Sequence, residues 1–110
     1  MKERDLLYLS HMAAAIAAVR DFTSEGQAVF MADLKTQSAV IRQIEIIGEA
    51  VKQLSDNAKA AEPGTPWRLI AGTRDRLIHA YFQVDLAAVW AMVEQDLPPL
   101  QAAIDRMRSG

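Results

Sequence analysis

Apolar residues recur every three or four positions along almost the whole chain, while Val, Ile and Thr never cluster with period two. That spacing predicts helices throughout, and Ala, Leu, Met, Gln, Glu, Lys and Arg, which dominate the sequence, favour them residue by residue. The first helix should run from Glu3 to Phe22, with Leu6, Leu9, Ala13, Ile16 and Val19 on one stripe and Gly26 as a left-handed stop. A second follows the N-cap Asp33 and continues to Leu54; Val40, Ile44, Ile47, Val51 and Leu54 form its seam, and Gly48 and Ala50 allow close packing. Residues 55–65 read as a connection with room for one helical turn, ending at Pro63-Gly64. Thr65 then offers a cap, and Pro66, with no N–H to lose, opens a third helix reaching Tyr81 or Phe82. Gly72 inside it predicts a kink or a close helix contact. Asp85 caps the last helix, which carries Leu86, Val89, Trp90, Val93, Leu97, Leu100, Ile104 and Met107 at three-four spacing. Pro98-Pro99 predict a bend there, and residues 106–110 a frayed end. The expected architecture is all-α: an up-and-down antiparallel bundle of four main helices plus short helical pieces, in a single domain over residues 1–110.

Size and composition narrow the function classes. A chain of 110 residues, 51% apolar, buries one core but leaves no room for a two-domain enzyme. The absence of cysteine excludes a disulfide scaffold, a thiolate metal site and a cysteine nucleophile. No run approaches about eighteen uncharged apolar residues, and the start alternates in charge where a secretion leader would be basic and then apolar. A cytoplasmic protein with no membrane contact is expected. Lys plus Arg number 12 against 14 Asp plus Glu, a formal charge of −2, so no general basic field for nucleic acid exists. Any such contact must be local, and the stretch from Pro66 to Tyr81, with Arg68, Arg74 and Arg76 against Asp75, is the most cationic in the middle of the chain.

Histidine is the side chain that both takes and gives a proton near neutral pH, and only His11 and His79 occur. His79 stands in Arg74-Asp75-Arg76-Leu77-Ile78-His79-Ala80-Tyr81, which gathers a fixed cation, a proton carrier and a phenol within about two helical turns. On an ideal helix Arg74 and Tyr81 share a face, whereas His79 lies about 140° from Arg74. For Arg74 and His79 to converge, the guanidinium must reach round, the helix must distort, or a second subunit must contribute. Metal-independent RNA cleavage needs a base for the 2′-OH, an acid for the leaving oxygen and a cation for charge building on phosphorus, which histidine and arginine match. The arginine fork also pairs bidentately with phosphate oxygens. Other polar residues read as structural. His11 borders the apolar stripe of the first helix, and Glu45 and Glu49 lack the histidine three residues on that a bundle metal site would want, so no metal is expected. Met12, Met31, Met92 and Met107 read as core or interface, and Trp67 and Trp90 as packing anchors.

The chain also resembles the HepT-type toxins of the HEPN superfamily. The likeness rests on Arg74-x4-His79-x-Tyr81, on Pro66-Trp67-Arg68-x-Ile70-x-Gly72 before it and Val84-Asp85-Leu86-x-x-Val89-Trp90 after it, and on Ala39-Val40-Ile41-Arg42-x-Ile44-Glu45-Ile46-Ile47-Gly48-Glu49-Ala50 upstream. The resemblance implies a HEPN-like homodimer that cleaves RNA without metal or cofactor, as the toxin of a type VII-like toxin–antitoxin pair. Its usual partner is an MntA-like nucleotidyltransferase antitoxin, which transfers AMP from ATP to the motif tyrosine. Carried over by position, Arg74 and His79 are the ribonuclease pair and Tyr81 the AMP acceptor; Arg68 and Arg76 become candidates for gripping RNA phosphate. AMP on Tyr81 would set a bulky anion beside cations meant for RNA. The family commonly has Asn after the motif arginine, where this chain has Asp75, a charge that would lower local phosphate affinity. Two other readings stand beside this one: a non-catalytic helical module that binds nucleotide or docks a minimal nucleotidyltransferase, and a purely structural dimeric bundle.

Overall fold

The computed structural model describes residues 1–73, 75, 78–79 and 83–109, with the backbone alone at 78–79 and 83–84. The chain forms helix α1 (Glu3–Phe22), a short α2 (Gln27–Ala32), α3 (Leu34–Gln53), α4 (Asp56–Ala60) and α5 (Trp67–Ala71). A hairpin of two-residue strands, β1 (Ile78–His79) and β2 (Gln83–Val84), leads to α6 (Leu86–Ala91), a π-helical turn (Met92–Asp96) and α7 (Leu97–Ser109). The fold is all-helical apart from that hairpin, and the three long helices α1, α3 and α7 pack antiparallel, as the apolar spacing predicts.

The core lies between those three helices. All five seam residues of α3 expected from the sequence are buried, as are Leu97, Leu100, Ile104 and Met107 of α7. On α1 the buried stripe is Asp5, Leu9, Met12, Ile16 and Val19, so Leu6 is 42% exposed instead of buried. Apolar residues surround α1 on nearly every side, and such a helix has no strong preferred phase of its own. Its rotation is fixed by Asp5, whose buried carboxylate accepts hydrogen bonds from the Ser55 N–H at 2.8 Å and hydroxyl at 2.7 Å. Ser55 also caps α4 by accepting from Ala58 N–H at 3.1 Å, so one carboxylate ties three elements together. The Ser55 N–H, followed by the Ser55 hydroxyl and Lys2, outweighs burial and holds the Asp5 carboxyl below its ordinary pKa.

Local deviations from the expected pattern have local causes. Gly26, at φ 94°, turns the chain straight into α2, a helix not anticipated, which buries Phe30 against Trp90 at 5.3 Å between ring centroids. Asp33 caps α3 as expected, accepting from Lys35 N–H and from the Thr36 hydroxyl. At α5 the cap is Pro66 and not Thr65; the Trp67 indole instead donates to the carbonyls of Lys59 (3.0 Å), in the last turn of α4, and Glu62 (3.2 Å), just after it. In the last helical run the distortion sits one turn before Pro98-Pro99. These prolines cannot donate to the preceding turn, so the ladder widens, with Leu97 N–H reaching Met92 C=O, and α7 restarts with both prolines in its first turn. Nor is the C-terminus frayed at Arg106: its guanidinium forks onto the Glu62 carboxylate, the closest approach being 2.6 Å, and helix continues to Ser109. Among the described residues no helix is long and apolar enough to cross a membrane.

Candidate active site

The segment carrying the motif begins in α5, which is seated on α3 through Gly48. A Cβ at Gly48 would stand 3.4 Å from the carbonyl oxygens of both Ile70 and Ala71, so the two backbones approach as closely as that position allows. Trp67 and Ile70 point into the core while Arg68 and Leu69 face solvent. Thr73 is fully buried, and its hydroxyl donates to the Leu69 carbonyl at 3.2 Å. Thr73 and Asp75 keep helical backbone, and Asp75 is exposed. At the far end, Asp85 accepts from Ala88 N–H at 3.0 Å and fixes the start of α6, as its position in the sequence predicts. The motif is therefore strung between two anchored points.

Between them the structure corrects the expected helix. Ile78 and His79 are extended and pair antiparallel with Val84 and Gln83 respectively, so helix does not continue to Tyr81 or Phe82. Gly72 weakens the helix, and Ile78, Ala80, Phe82 and Val84 alternate at period two, with Ile78, Phe82 and Val84 favouring strands. That alternation is the available signal, and it is hidden by Ala80 and by the helix formers on either side. The consequence bears on the chemistry. An angle of about 140° between Arg74 and His79 holds only on a continuous helix, and the backbone leaves helical form between Asp75 and Ile78. Helix distortion was one of the three routes to convergence. Of the sequence-selected residues, Arg68 lies on the outer side of α5 and the His79 backbone lies in β1; Arg74, Arg76 and Tyr81 fall outside the described residues.

A second polar cluster, not singled out from the sequence as a unit, covers the outer face of α1 and α3. His11 is exposed and meets the Tyr8 ring edge-on at 5.4 Å, and the Arg4 guanidinium lies 5.7 Å from the same ring while donating to the Gln53 amide oxygen. Glu49 pairs with Lys52 at 3.4 Å on the surface. Among the described residues no group of three or more His, Asp or Glu is placed to hold a metal ion.

Comparison with known proteins places the chain. The profile of the family described as Ribonuclease HepT-like matches residues 12–107. A protein of Thermococcus cleftensis named "Probable ribonuclease HepT" is 44% identical over 109 residues, 98% of this chain and 99% of that protein. One of Methanocaldococcus jannaschii, named "Putative RNase", is 40% identical over 86% of this chain and 78% of its own length. Another from the same organism, named "Gamma-glutamylcyclotransferase and putative RNase", is 37% identical over 94% of this chain, which spans only 47% of that longer protein. No solved structure matches. The chain belongs to the HepT-like ribonuclease family.

Proposed function

We propose that this chain is a metal-independent endoribonuclease, the toxin of a toxin–antitoxin pair, with Arg74 and His79 as its catalytic residues. The observation that carries this reading is the intact Arg74-x4-His79-x-Tyr81 array within a chain that matches the HepT-like family from residue 12 to 107. Helical Asp75 and extended Ile78 support it, because the angle of about 140° that separates the pair belongs to a continuous helix and His79 lies in a strand.

In the reaction the ribose 2′-oxygen attacks the adjacent phosphorus as the bond to the 5′-oxygen breaks. His79 takes the 2′-OH proton or supplies the one that the leaving oxygen needs, water exchanging the other, and Arg74 holds the phosphoryl oxygens as charge builds on them. The products are a 2′,3′-cyclic phosphate and a 5′-hydroxyl. Arg68, and Arg76 with it, would grip flanking phosphates. Tyr81 is the acceptor of AMP from ATP, transferred by a nucleotidyltransferase antitoxin with release of pyrophosphate; the adduct blocks the cleft and cancels its charge.

The test is cleavage of a single-stranded RNA by the purified chain in excess EDTA, with end-group analysis, set beside Arg74→Ala and His79→Ala. Cyclic-phosphate ends from the wild type and none from either variant are expected. A variant that cuts as fast as wild type would remove that residue from the chemistry. Binding of a nucleotidyltransferase partner with no cleavage by the unmodified protein would favour the docking module instead.

A further inference from the structure

The outer face of α1 and α3 holds a concavity of about 370 Å³, within the size range of small-ligand sites. Tyr8 and His11 flank it on α1, and Arg42, Ile46, Glu49 and Gln53 on α3. The four α3 residues follow one another at spacings of four, three and four, which sets them in one stripe along the helix. Their chemistry runs in order: a cation, an aliphatic side chain, a carboxylate and an amide. Arg42 is exposed and makes no hydrogen bond or ion pair among the described residues. Ile46 is half-buried and packs against the core from the outside. Glu49 pairs with the solvent-exposed Lys52, a type of pair that contributes little and exchanges readily.

The amide end of the stripe presents a defined hydrogen-bonding pattern. The Arg4 guanidinium donates to Gln53 Oε1, so the amide turns its Nε2 donors away from Arg4. Glu49, one turn back on the same face with its Cβ about 5–6 Å from that of Gln53, is an acceptor alone when ionised. A donor thus stands beside two carboxylate acceptors. The complement is an acceptor followed by two adjacent donors, and guanine, with O6, N1–H and N2–H₂ on its Watson–Crick edge, is the one RNA base that carries it. Adenine would set a donor against Gln53 and an acceptor against Glu49, and uracil and cytosine each turn an acceptor toward the carboxylate. Arg42 stands two turns and about 10.5 Å along the axis from Glu49, a span that a nucleotide bridges from base edge to phosphate, and its fork suits phosphate oxygens. Between them Ile46 offers an apolar surface for base and ribose, with the Tyr8 ring at its border.

We infer that this concavity is a guanine-nucleotide site, in which Glu49 and Gln53 read the base and Arg42 holds the phosphate. The ligand is either a free guanine nucleotide or a guanosine within an RNA strand, which share this chemistry. The residues concerned lie on α1 and α3 and none belongs to the motif from Arg74 to Tyr81, so the site and the proposed cleavage stand or fall separately.

Calorimetric titration of the full chain with GMP, AMP and guanosine tests the site. GMP should bind with a Kd below about 1 mM, and AMP at least about tenfold more weakly. Glu49→Gln should weaken GMP binding at least about tenfold, the scale of a hydrogen bond to a charged group. Arg42→Ala should weaken GMP binding by about tenfold as well while leaving guanosine unchanged. Both positions are exposed, and helix content by circular dichroism checks that the variants fold. Two octamers of 2′-O-methyl RNA, which cannot be cleaved, identify the source of the ligand. Tighter binding of an octamer with one guanosine than of one with none, lost in Glu49→Gln, assigns the site to an RNA strand; GMP binding with no preference between octamers assigns it to the free nucleotide. No binding at about 5 mM GMP, equal affinity for GMP and AMP, or a Glu49→Gln variant that binds GMP as wild type does would overturn the inference.

Discussion

The α1–α3 pair and the stretch from Gly72 to Asp85 follow opposite rules. In the pair, two 20-residue helices meet along a continuous apolar seam, and one buried carboxylate sets their relation. In the stretch, helical Asp75 is followed by a pair of two-residue strands, with the Gly48 contact on one side of it and the Asp85 cap on the other. A continuous buried seam marks the first region and the proposed chemistry the second. Such a division suits an enzyme: a site needs backbone positions that a regular helix cannot supply, and a rigid scaffold can hold them.

The sharpest way to break this comparison is to change one region and look for effects in the other. His79→Ala should lower RNA cleavage by about 10²- to 10⁴-fold, the usual contribution of a proton-transferring side chain, with no change in melting temperature. Ile44→Ala, in the middle of the α3 seam, should do the reverse: a loss of about 2–5 kcal/mol on denaturant titration, with the specific activity of the remaining folded protein preserved. If His79→Ala melted early, or Ile44→Ala lost activity before it unfolded, the division would fail.

Asp5 tests the scaffold more finely. Its pKa is lowered in the folded state, chiefly by the Ser55 N–H, so the protein gains stability from it wherever the unfolded chain's carboxyl is still ionised. That contribution is complete above about pH 4 and is lost as pH falls through the lowered folded value. Asp33, held down by the Thr36 hydroxyl, and Glu62, held down by Arg106, act in the same direction. Asp5→Ala should cost on the order of 2 kcal/mol at neutral pH, since it strands the Ser55 N–H. It should also flatten the decline in stability between pH 5 and the acid range, as read by chemical denaturation at each pH. A variant as acid-sensitive as wild type would show that Asp5 is not the group responsible.

What was legible in the sequence follows the same division. The α3 seam, the Asp33 and Asp85 caps and the close packing of Gly48 could all be read, because each depends on residues within a turn or two. The phase of α1 could be read in part: Leu9, Ile16 and Val19 are buried as expected, but Leu6 is exposed, and the inward place of its neighbour Asp5 depends on Ser55, 50 residues away. The end of the third helix was misread for a related reason: the alternation from Ile78 to Val84 is short, and helix formers on both sides masked it. The catalytic candidates came from residue chemistry and family resemblance, since on an ideal helix Arg74 and Tyr81 share a face but His79 does not join them.

Gly48→Ala links the two regions and should have the smallest effect. Alanine improves helix propensity by about 1 kcal/mol, which opposes the cost of a methyl group 3.4 Å from the carbonyls of Ile70 and Ala71. Net stability should therefore move by less than about 1 kcal/mol in either direction. At this near limit of van der Waals contact the carbonyls yield by a few tenths of an ångström at most, and they lie three and four residues before Arg74. A misplacement of about 1 Å can cost about 10²-fold in rate, so a shift of this size should lower kcat a few-fold while KM stays constant. That split distinguishes positioning from unfolding, which would reduce the amount of active protein without altering the kcat of the folded fraction. A Gly48→Ala enzyme with wild-type kcat would show that α3 supports the motif's helix without setting its catalytic geometry.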